Sequence, residues 1–206
     1  MEADDDALRI VPANEAGWED VRAVFGTKGM GARCLCQRYK LRPGEAFAKF
    51  PVEEREHRLR VQTGCDGGDR DGEGPATSGL VAYVDGAPAG WCAVEPRSAY
   101  EGLVRNQRVP WTGRDEDRAD PTVWAVTCLF TRAGFRRSGV SRALARAAVA
   151  HARAHGARAI EAYPILTKDV IAEELHVGTP SVFADAGLTE IGRPTPRRAV
   201  MRLDLR

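Results

Sequence analysis

The sequence predicts an α/β fold of the α+β kind, in which a mixed, mostly antiparallel, twisted sheet carries helices on both faces. Strand patterns near both ends and a hairpin signal in the middle of the chain favour antiparallel pairing. A strand–loop–helix–strand unit over residues 122–165 makes the sheet mixed. Of the 206 residues 43% are hydrophobic, enough for one sizeable core, so we expect a single domain over residues 1–206.

The first third of the chain carries short strand and helix signals. Residues 8–11 are predicted as the first strand, and Asn14 as the cap of a helix that ends near Phe25. Residues 32–39 are predicted to be extended. Two helical pieces are predicted over residues 43–50 and 51–62, since each range begins with proline, which the first turn of a helix tolerates.

The middle of the chain predicts a hairpin between two irregular segments. Residues 79–84 and 89–94 are apolar runs on either side of Asp85-Gly86, a pair that favours the tight turn of a hairpin. Residues 65–78 are rich in glycine and have almost nothing to bury, and residues 100–120 are polar. Both segments are predicted as mobile surface loops, and residues 1–6 as an acidic tail.

The strand–loop–helix–strand unit is the clearest pattern in the sequence. Residues 122–131 form a nearly unbroken apolar run, which suits a strand buried on both faces. Residues 142–155 are rich in alanine and predict a helix, Gly156 is a natural stop, and residues 157–165 read as the next strand. A last helix is expected to start at Thr179-Pro180, and residues 199–205 alternate like a final strand.

The loop between this strand and helix is strongly basic. Residues 132–160 contain seven arginines, two histidines and no acidic residue, although the whole chain has a formal charge of only +1. Arg136, Arg137 and Arg142 flank the glycine turn and the start of the helix. Because the first N–H groups of a helix lack partners within the helix, this arrangement predicts a site for an anion.

The loop resembles the acyl-CoA-binding motif of the GNAT superfamily of N-acetyltransferases. That motif is Arg/Gln-x-x-Gly-x-Gly/Ala after a buried strand and at the start of a helix, and it stands here as Arg136-Arg137-Ser138-Gly139-Val140-Ser141. A second similarity lies in residues 181–188, which look like the last helix of the family and the glycine-plus-apolar pair after it. The resemblance is strong from about Gly79 onward and implies a GNAT-like fold with acetyl-CoA as co-substrate.

The resemblance also implies which residues hold acetyl-CoA. The pantetheine arm would pair with the central strand at Leu129, Phe130 and Thr131, where the neighbouring strand splays away. A backbone N–H there would also stabilise the carbonyl oxygen as an amine attacks the thioester. The diphosphate would bind the loop and helix start, formed by Arg136, Arg137, Ser138, Gly139, Val140, Ser141 and Arg142.

Two positions that carry catalytic side chains in the family have unsuitable residues here. The tyrosine that protonates the leaving thiolate in many members matches Phe183, and the carboxylate that some members carry on the central strand matches Ala125. Glu161 and Tyr163 share one face of the next strand and are the catalytic candidates. Ser181 and Cys128 are weaker candidates, and a chain of water molecules is a further alternative for the base.

The predicted function is transfer of an acetyl group from acetyl-CoA to a primary amine by direct attack in a ternary complex. The acceptor is a small-molecule amine or a protein amino group; Tyr39, Phe47 and Phe50 either help to select it or belong to the core. The alternative is a module that binds acyl-CoA without efficient catalysis. The acceptor, the acyl chain length and the oligomeric state stay open, a homodimer being one option.

Composition argues against several other classes. The basic block is confined to one loop and helix in a nearly neutral chain, so nucleic acid is not an expected partner. The acidic N-terminus is no signal peptide, and no apolar run approaches the roughly 18–20 residues of a membrane span, so we expect a cytoplasmic protein without membrane contact. The five cysteines have no Cys-x-x-Cys spacing, and we expect reduced thiols and no metal.

Overall fold

A computed structural model describes residues 7–65, 77–106, 108–166 and 170–205. The predicted acidic tail and most of the predicted loop over residues 65–78 lie outside the described residues.

The centre of the fold is a sheet of seven strands in the order β1-β2-β3-β4-β5-β7-β6. The strands are β1 Leu8–Pro12, β2 Gly79–Val84, β3 Ala87–Pro96, β4 Val123–Thr131, β5 Ala159–Ala162, β6 Thr189–Thr195 and β7 Arg198–Asp204. β4 and β5 pair in parallel, and the other neighbours pair antiparallel. The predicted mixed, mostly antiparallel sheet is therefore confirmed.

Helices pack on both faces of this sheet. They are α1 Trp18–Phe25, α2 Gly29–Cys34, α3 Val52–Thr63, α4 Glu101–Asn106, α5 Val140–Ala154 and α6 Pro180–Ala184. Trp91 and Cys92 follow one another in β3 and therefore point to opposite faces. Cys92 joins a core with Leu144 of α5, whereas Trp91 joins a core with Phe25 of α1. The sheet thus separates two apolar layers.

The predicted hairpin is confirmed and joins β2 to β3. Its two turn residues, Asp85 and Gly86, have φ angles of 49° and 75°. Two positive φ angles in a two-residue turn match the twist of the flanking strands, and aspartate and glycine are residues that adopt them readily.

The N-terminal third differs most from the sequence prediction. The first helix begins at Trp18 after Gly17, not at Asn14, which lies in a short 3-10 turn. Residues 32–39 are not extended, because α2 occupies the first part of the range and is followed by two residues with left-handed backbone. A Cβ atom on Gly31 would lie 2.7 Å from the ring of Phe130, so α2 is held by a tertiary contact that no local pattern reveals.

Only one of the two proline-led helices forms. The second is α3, as predicted, whereas residues 43–50 contain just the 3-10 turn Phe47–Lys49. The buried guanidinium of Arg55 donates hydrogen bonds to the backbone carbonyls of Phe47 and Phe50. Both carbonyls lie just before Pro51, which has no N–H to bond the Phe47 carbonyl, so Arg55 satisfies acceptors that a helix over this range would leave open.

The polar segment over residues 100–120 contains local structure, namely α4 and the 3-10 helix Val109–Trp111. Arg97, just before the segment, donates hydrogen bonds to the backbone carbonyl of Arg118 at 3.0 Å and to the carboxylate of Glu116 at 2.6 Å. These bonds connect the segment to the sheet, whereas its polar sequence suggests an irregular loop.

One strand was missed by the sequence analysis. β6 lies at the edge of the sheet, is mostly exposed and contains Gly192 and Pro194. Its sequence has neither the apolar alternation nor the β-branched run of a typical strand, so its pairing with β7 decides its conformation.

Candidate functional site

The predicted pantetheine strand lies beside a gap in the sheet. β4 pairs with β5 only from Val123 to Val126, because β5 ends at Ala162. On the edge of β4 that faces β5, no described strand pairs with Leu129, Phe130 or Thr131. On its opposite edge, β3 pairs with all three. An extended ligand with amide groups can add to such an edge like another strand.

A β-bulge precedes this open stretch. Ala93 of β3 faces Cys128, but the next residue, Val94, faces Val126, so Thr127 is the extra residue in β4. A bulge bends its strand and re-aims the side chains near it. It therefore marks the point at which β4 changes from a paired strand to an open edge.

The loop after β4 delivers the N-terminus of α5. Gly139 caps the helix with a φ of 85°, and the first helical hydrogen bond joins the N–H of Ala143 to the Gly139 carbonyl at 3.1 Å. The N–H groups of Val140, Ser141 and Arg142 precede that bond and have no acceptor within the helix. A Cβ atom on Gly139 would meet nothing within 4 Å, so the positive φ rather than crowding favours glycine.

Two contacts fix this helix start relative to the sheet. The hydroxyl oxygens of Thr131 and Ser141 lie 3.0 Å apart, joining the end of β4 to the first turn of α5. A Cβ atom on Gly90 would lie 2.6 Å from Cγ1 of Val140, so α5 packs directly on the β3 backbone. The open edge and the free N–H groups therefore form one continuous surface.

The three arginines at this surface, called here the α5 arginines (Arg136, Arg137 and Arg142), differ in their contacts. Arg136 and Arg137 are exposed, and Arg137 has a positive φ of 66°. Arg142 forms an ion pair with Asp185, just after α6, and the two side chains are 51% and 40% exposed. Two of the arginines thus face solvent beside the helix start, and the third has a carboxylate neighbour.

A comparison with known protein families gives a match over most of the chain. Residues 41–176 match the model of the family described as the acetyltransferase (GNAT) family. The chain belongs to the GNAT family of acetyltransferases. No curated protein gives a significant sequence match to this GNAT chain.

Solved structures with this fold are numerous but distant in sequence. A GCN5-related N-acetyltransferase from Kribbella flavida is 19% identical with a TM-score of 0.55, covering 98% of this chain and 100% of its own. An N-acetyltransferase from Staphylococcus aureus Mu50 is 14% identical with a TM-score of 0.54, and the match covers 97% of this chain and 99% of its own. A protein from Salmonella typhimurium, solved with acetyl-CoA as its cofactor, is 13% identical with a TM-score of 0.52. That match covers 97% of this chain and 95% of its own. At these identities the likeness shows the GNAT fold.

Glu161, the first catalytic candidate, lies at the centre of a buried ionic network. Its carboxylate accepts hydrogen bonds from the Tyr163 hydroxyl at 2.8 Å and from three guanidinium groups, those of Arg97, Arg114 and Arg202. Burial alone would raise the pKa of this carboxyl, but the bonds and charges of Arg114 and Arg97 outweigh it and hold the pKa below its usual value. A weakly basic, fully bonded carboxylate suits a structural role better than proton abstraction.

Tyr163, the second candidate, donates its proton to that same carboxylate. Burial and then the charge of Glu161 raise its pKa well above the usual value for tyrosine. The structure therefore brings the two candidates together, as the sequence analysis expected from their spacing. A catalytic role for either residue stays a prediction.

Phe183, at the tyrosine position of the family motif, lies in the core beneath α5. A Cβ atom on Gly178 would lie 2.6 Å from the Phe183 ring and 3.2 Å from Leu129, so the ring is close to the open edge of β4. Of the two weaker candidates, Ser181 is exposed on α6 and Cys128 is buried in β4. The ring of Phe183 can shape the site but has no proton to donate.

The three aromatic residues predicted for the acceptor side separate into two groups. Tyr39 is buried in a cluster with Ala125 and Tyr163. Phe47 and Phe50 instead have the guanidinium of Arg55 over their rings, at 3.9 and 5.6 Å from the ring centres. Tyr39 thus lies on the sheet face beside the open edge, whereas the other two pack around a buried arginine.

A polar cluster that the sequence analysis missed lies on the same sheet face. Glu95 of β3 is 1% exposed and forms an ion pair with Lys40, which is 9% exposed. Tyr100 is fully buried, and the ammonium of Lys40 lies 5.1 Å from its ring centre. The sequence does contain one sign of this cluster, because the charged residue Glu95 directly follows the apolar run 91–94 of β3.

Within the part of the chain that the structure describes, no group of three His, Cys, Asp or Glu residues is arranged to hold a metal ion. The cysteines at positions 34, 36, 65, 92 and 128 are not joined in disulfides. Across the described residues, every helix is too short or too polar to span a bilayer.

Proposed function

We propose that this chain is an acyl-CoA-dependent N-acyltransferase that moves an acetyl group from acetyl-CoA to a primary amine by direct attack. The observation that carries the proposal is the continuity between the open edge of β4 and the N-terminus of α5, joined by the Thr131–Ser141 contact of 3.0 Å. An amide-rich arm that ends in phosphates matches such a surface along its whole length.

The chain supplies each part of this binding surface. The backbone of Leu129, Phe130 and Thr131 pairs with the pantetheine amides, and the N–H groups from Arg137 to Ser141 bind the diphosphate. Glycine at position 139 leaves room for the phosphates, since nothing lies within 4 Å of its missing Cβ. Arg136 and Arg137 add positive charge at the same place, and Arg142 adds to it where Asp185 permits.

Direct transfer requires that both substrates be bound at once, with the amine held against the thioester. Acetyl-CoA supplies the activated acyl group, and the protein contributes proximity, exclusion of water and a route for protons. The acceptor is an amine of a small molecule or of a protein, and the described sheet face around Ala125 and Tyr39 lies beside the place where it must attack.

Calorimetry with acetyl-CoA, followed by a thiol-release assay with a panel of primary amines, tests the proposal. We expect saturable acetyl-CoA binding and free thiol that appears only when an accepted amine is present. Binding without thiol release for any amine supports the alternative, a module that binds acyl-CoA without catalysis. Absence of acetyl-CoA binding by the folded protein contradicts both.

A further inference from the structure

Strand register places two buried carboxylates on either side of Ala125. Ala125 of β4 faces Glu95 of β3 on one side and Glu161 of β5 on the other, and Glu161 in turn faces Arg202 of β7. Residues directly opposite one another across strands point to the same face of a sheet. The small side chain of Ala125 therefore lies between two acidic side chains that are 1% and 0% exposed.

The two carboxylates have different counter-ions. Glu161 is bonded to three guanidinium groups and to the Tyr163 hydroxyl, so its lone pairs are already committed to donors of the protein. Glu95 is paired with Lys40, whose ammonium is a compact charge on a flexible stem, in contrast to the rigid guanidinium groups around Glu161. Of the two, Glu95 has the environment that suits proton transfer.

Tyr100 belongs to the same buried cluster as Lys40 and Glu95. Its hydroxyl is buried, and among the described residues no atom meets the geometry of a hydrogen bond to it, although the Thr127 hydroxyl lies close by. Native proteins rarely leave a buried hydroxyl without a hydrogen-bond partner, because its lost hydration is then not replaced. Burial and then the charge of Glu95 raise the pKa of Tyr100 well above the usual value, so the hydroxyl keeps its proton.

These groups lie next to the open edge of β4. Thr127 is the bulged residue, two positions before Leu129, and Ala125 is two positions before the bulge. α4 packs against the Lys40 segment, because a Cβ atom on Gly102 would lie 3.0 Å from the carbonyl oxygen of Tyr39. That layer keeps bulk water away from the carboxylate, which strengthens electrostatic interactions within the site.

Resting on the proposed function, we propose that Glu95 takes the proton from the acceptor amine, that Tyr100 binds the amine nitrogen, and that Lys40 positions the Glu95 carboxylate. Glu95 thereby replaces, from the neighbouring strand, the carboxylate that Ala125 does not supply. Glu95 and Tyr100 touch the substrate in this proposal, whereas Lys40 acts through Glu95.

The proton balance of the step is complete. The acceptor arrives as an ammonium ion and gives one proton to Glu95, which frees the lone pair on nitrogen. That pair forms the C–N bond to the thioester carbonyl carbon, and the C–S bond breaks with its electron pair on sulfur. The nitrogen loses a second proton and the sulfur gains one, so the products are the amide and the free thiol of CoA. The proton on Glu95 is then released to water.

The first test compares Glu95→Gln with the wild type, using an amine that the wild type acetylates. We expect kcat to fall by about 10²–10⁴-fold, the usual contribution of a positioned acid or base, while acetyl-CoA affinity measured by calorimetry stays within about twofold. Formate should restore part of the activity to Glu95→Ala, because a small carboxylate can enter the vacated space. A merely structural role would predict neither the separation of kcat from acetyl-CoA affinity nor rescue by formate.

The second test uses Tyr100→Phe, which removes only a hydroxyl that has no partner of sound geometry. This variant should fold at least as stably as the wild type, and its KM for the amine should rise about tenfold with little change in acetyl-CoA affinity. Lys40→Arg should keep more activity than Lys40→Met, since it retains the charge beside Glu95. The Tyr100→Phe result applies even where Glu95 variants fail to fold.

The outcomes separate this inference from the proposed function. A wild type that releases no thiol with any amine contradicts the proposed function and this inference with it. An active wild type together with a fully active Glu95→Gln variant overturns the inference alone. Unchanged kcat and KM in Tyr100→Phe likewise remove Tyr100 from the site.

Discussion

Two arginine-rich regions of this protein use the same residue type in opposite ways. Around Glu161 the side chains of Arg97, Arg114 and Arg202 are 0–13% exposed and point at carboxylates of the protein itself. At the start of α5, Arg136 and Arg137 are exposed beside free helix N–H groups. The difference lies in the counter-charge: the buried arginines bind a carboxylate of the chain itself, whereas for the exposed pair we propose an outside anion as the partner.

The largest expected effect is a loss of stability when the buried network around Glu161 is broken. Glu161→Gln leaves three guanidinium groups without their common charge, and removing one partner from a buried ion pair typically costs about 3–5 kcal/mol of the free energy of unfolding. Urea denaturation should show this loss, while Glu190→Gln, at an exposed pair with Arg193, should show little change. A loss as small as that of the control would mean that the network does not hold the fold together.

Acid should weaken the same region. Because the pKa of Glu161 is lowered in the folded protein, its contribution to stability is fully present above the ordinary glutamate pKa of 4.5 and is lost as pH falls through the lower folded value. The unfolding free energy of the wild type should therefore decline below about pH 4.5 more steeply than that of Glu161→Gln. Asp120, whose pKa of about 2 is held low by hydrogen bonds from Thr122 and Arg158, contributes equally to both proteins. Parallel declines in the two proteins would assign the acid sensitivity to other groups.

A substitution at the start of α5 should weaken acetyl-CoA binding more than it lowers the stability of the fold. Gly139→Val should weaken acetyl-CoA binding about tenfold or more, or about 1.4 kcal/mol, because the new side chain occupies the space of the phosphates. Gly156→Val is the matched control at the other end of α5, since both glycines have positive φ angles and open surroundings. We expect similar losses of stability in both variants and weaker binding, measured by calorimetry, in the first alone. Equal affinities would contradict the proposed phosphate site.

The smallest expected effects are changes in CoA binding when the α5 arginines are replaced. Arg136→Gln should weaken desulfo-CoA binding on the order of two- to fivefold at low salt, with the difference fading as ionic strength rises. Arg142→Gln should have a smaller effect because Asp185 already neutralises Arg142, and Asp185→Asn should strengthen binding slightly. Titrations over a range of salt concentrations check all three variants. A flat salt dependence in each of them would move the phosphates away from these side chains.

Several parts of the fold followed from local signals. The Asp85-Gly86 turn, the apolar run that became β4 and the alanine-rich α5 were predictable because each depends on its own residues. Local signals failed for α2, which packs on Phe130, and for β6, whose polar residues form a strand only beside β7. Neither contact partner is close in sequence to the element that it stabilises.

The sequence by itself indicated the GNAT family, which the family match confirms, and it predicted where the phosphates bind, because the motif from Arg136 to Ser141 lies in consecutive residues. The tertiary structure alone decided what the acidic residues contact. Glu161 became the centre of a network because Arg97, Arg114 and Arg202 converge on it from three separate parts of the chain. Glu95 came to lie beside Ala125 through the register of β3 and β4. The chemistry of a buried carboxylate depends on its neighbours in space, and those are set by strand pairing and packing rather than by neighbours in sequence.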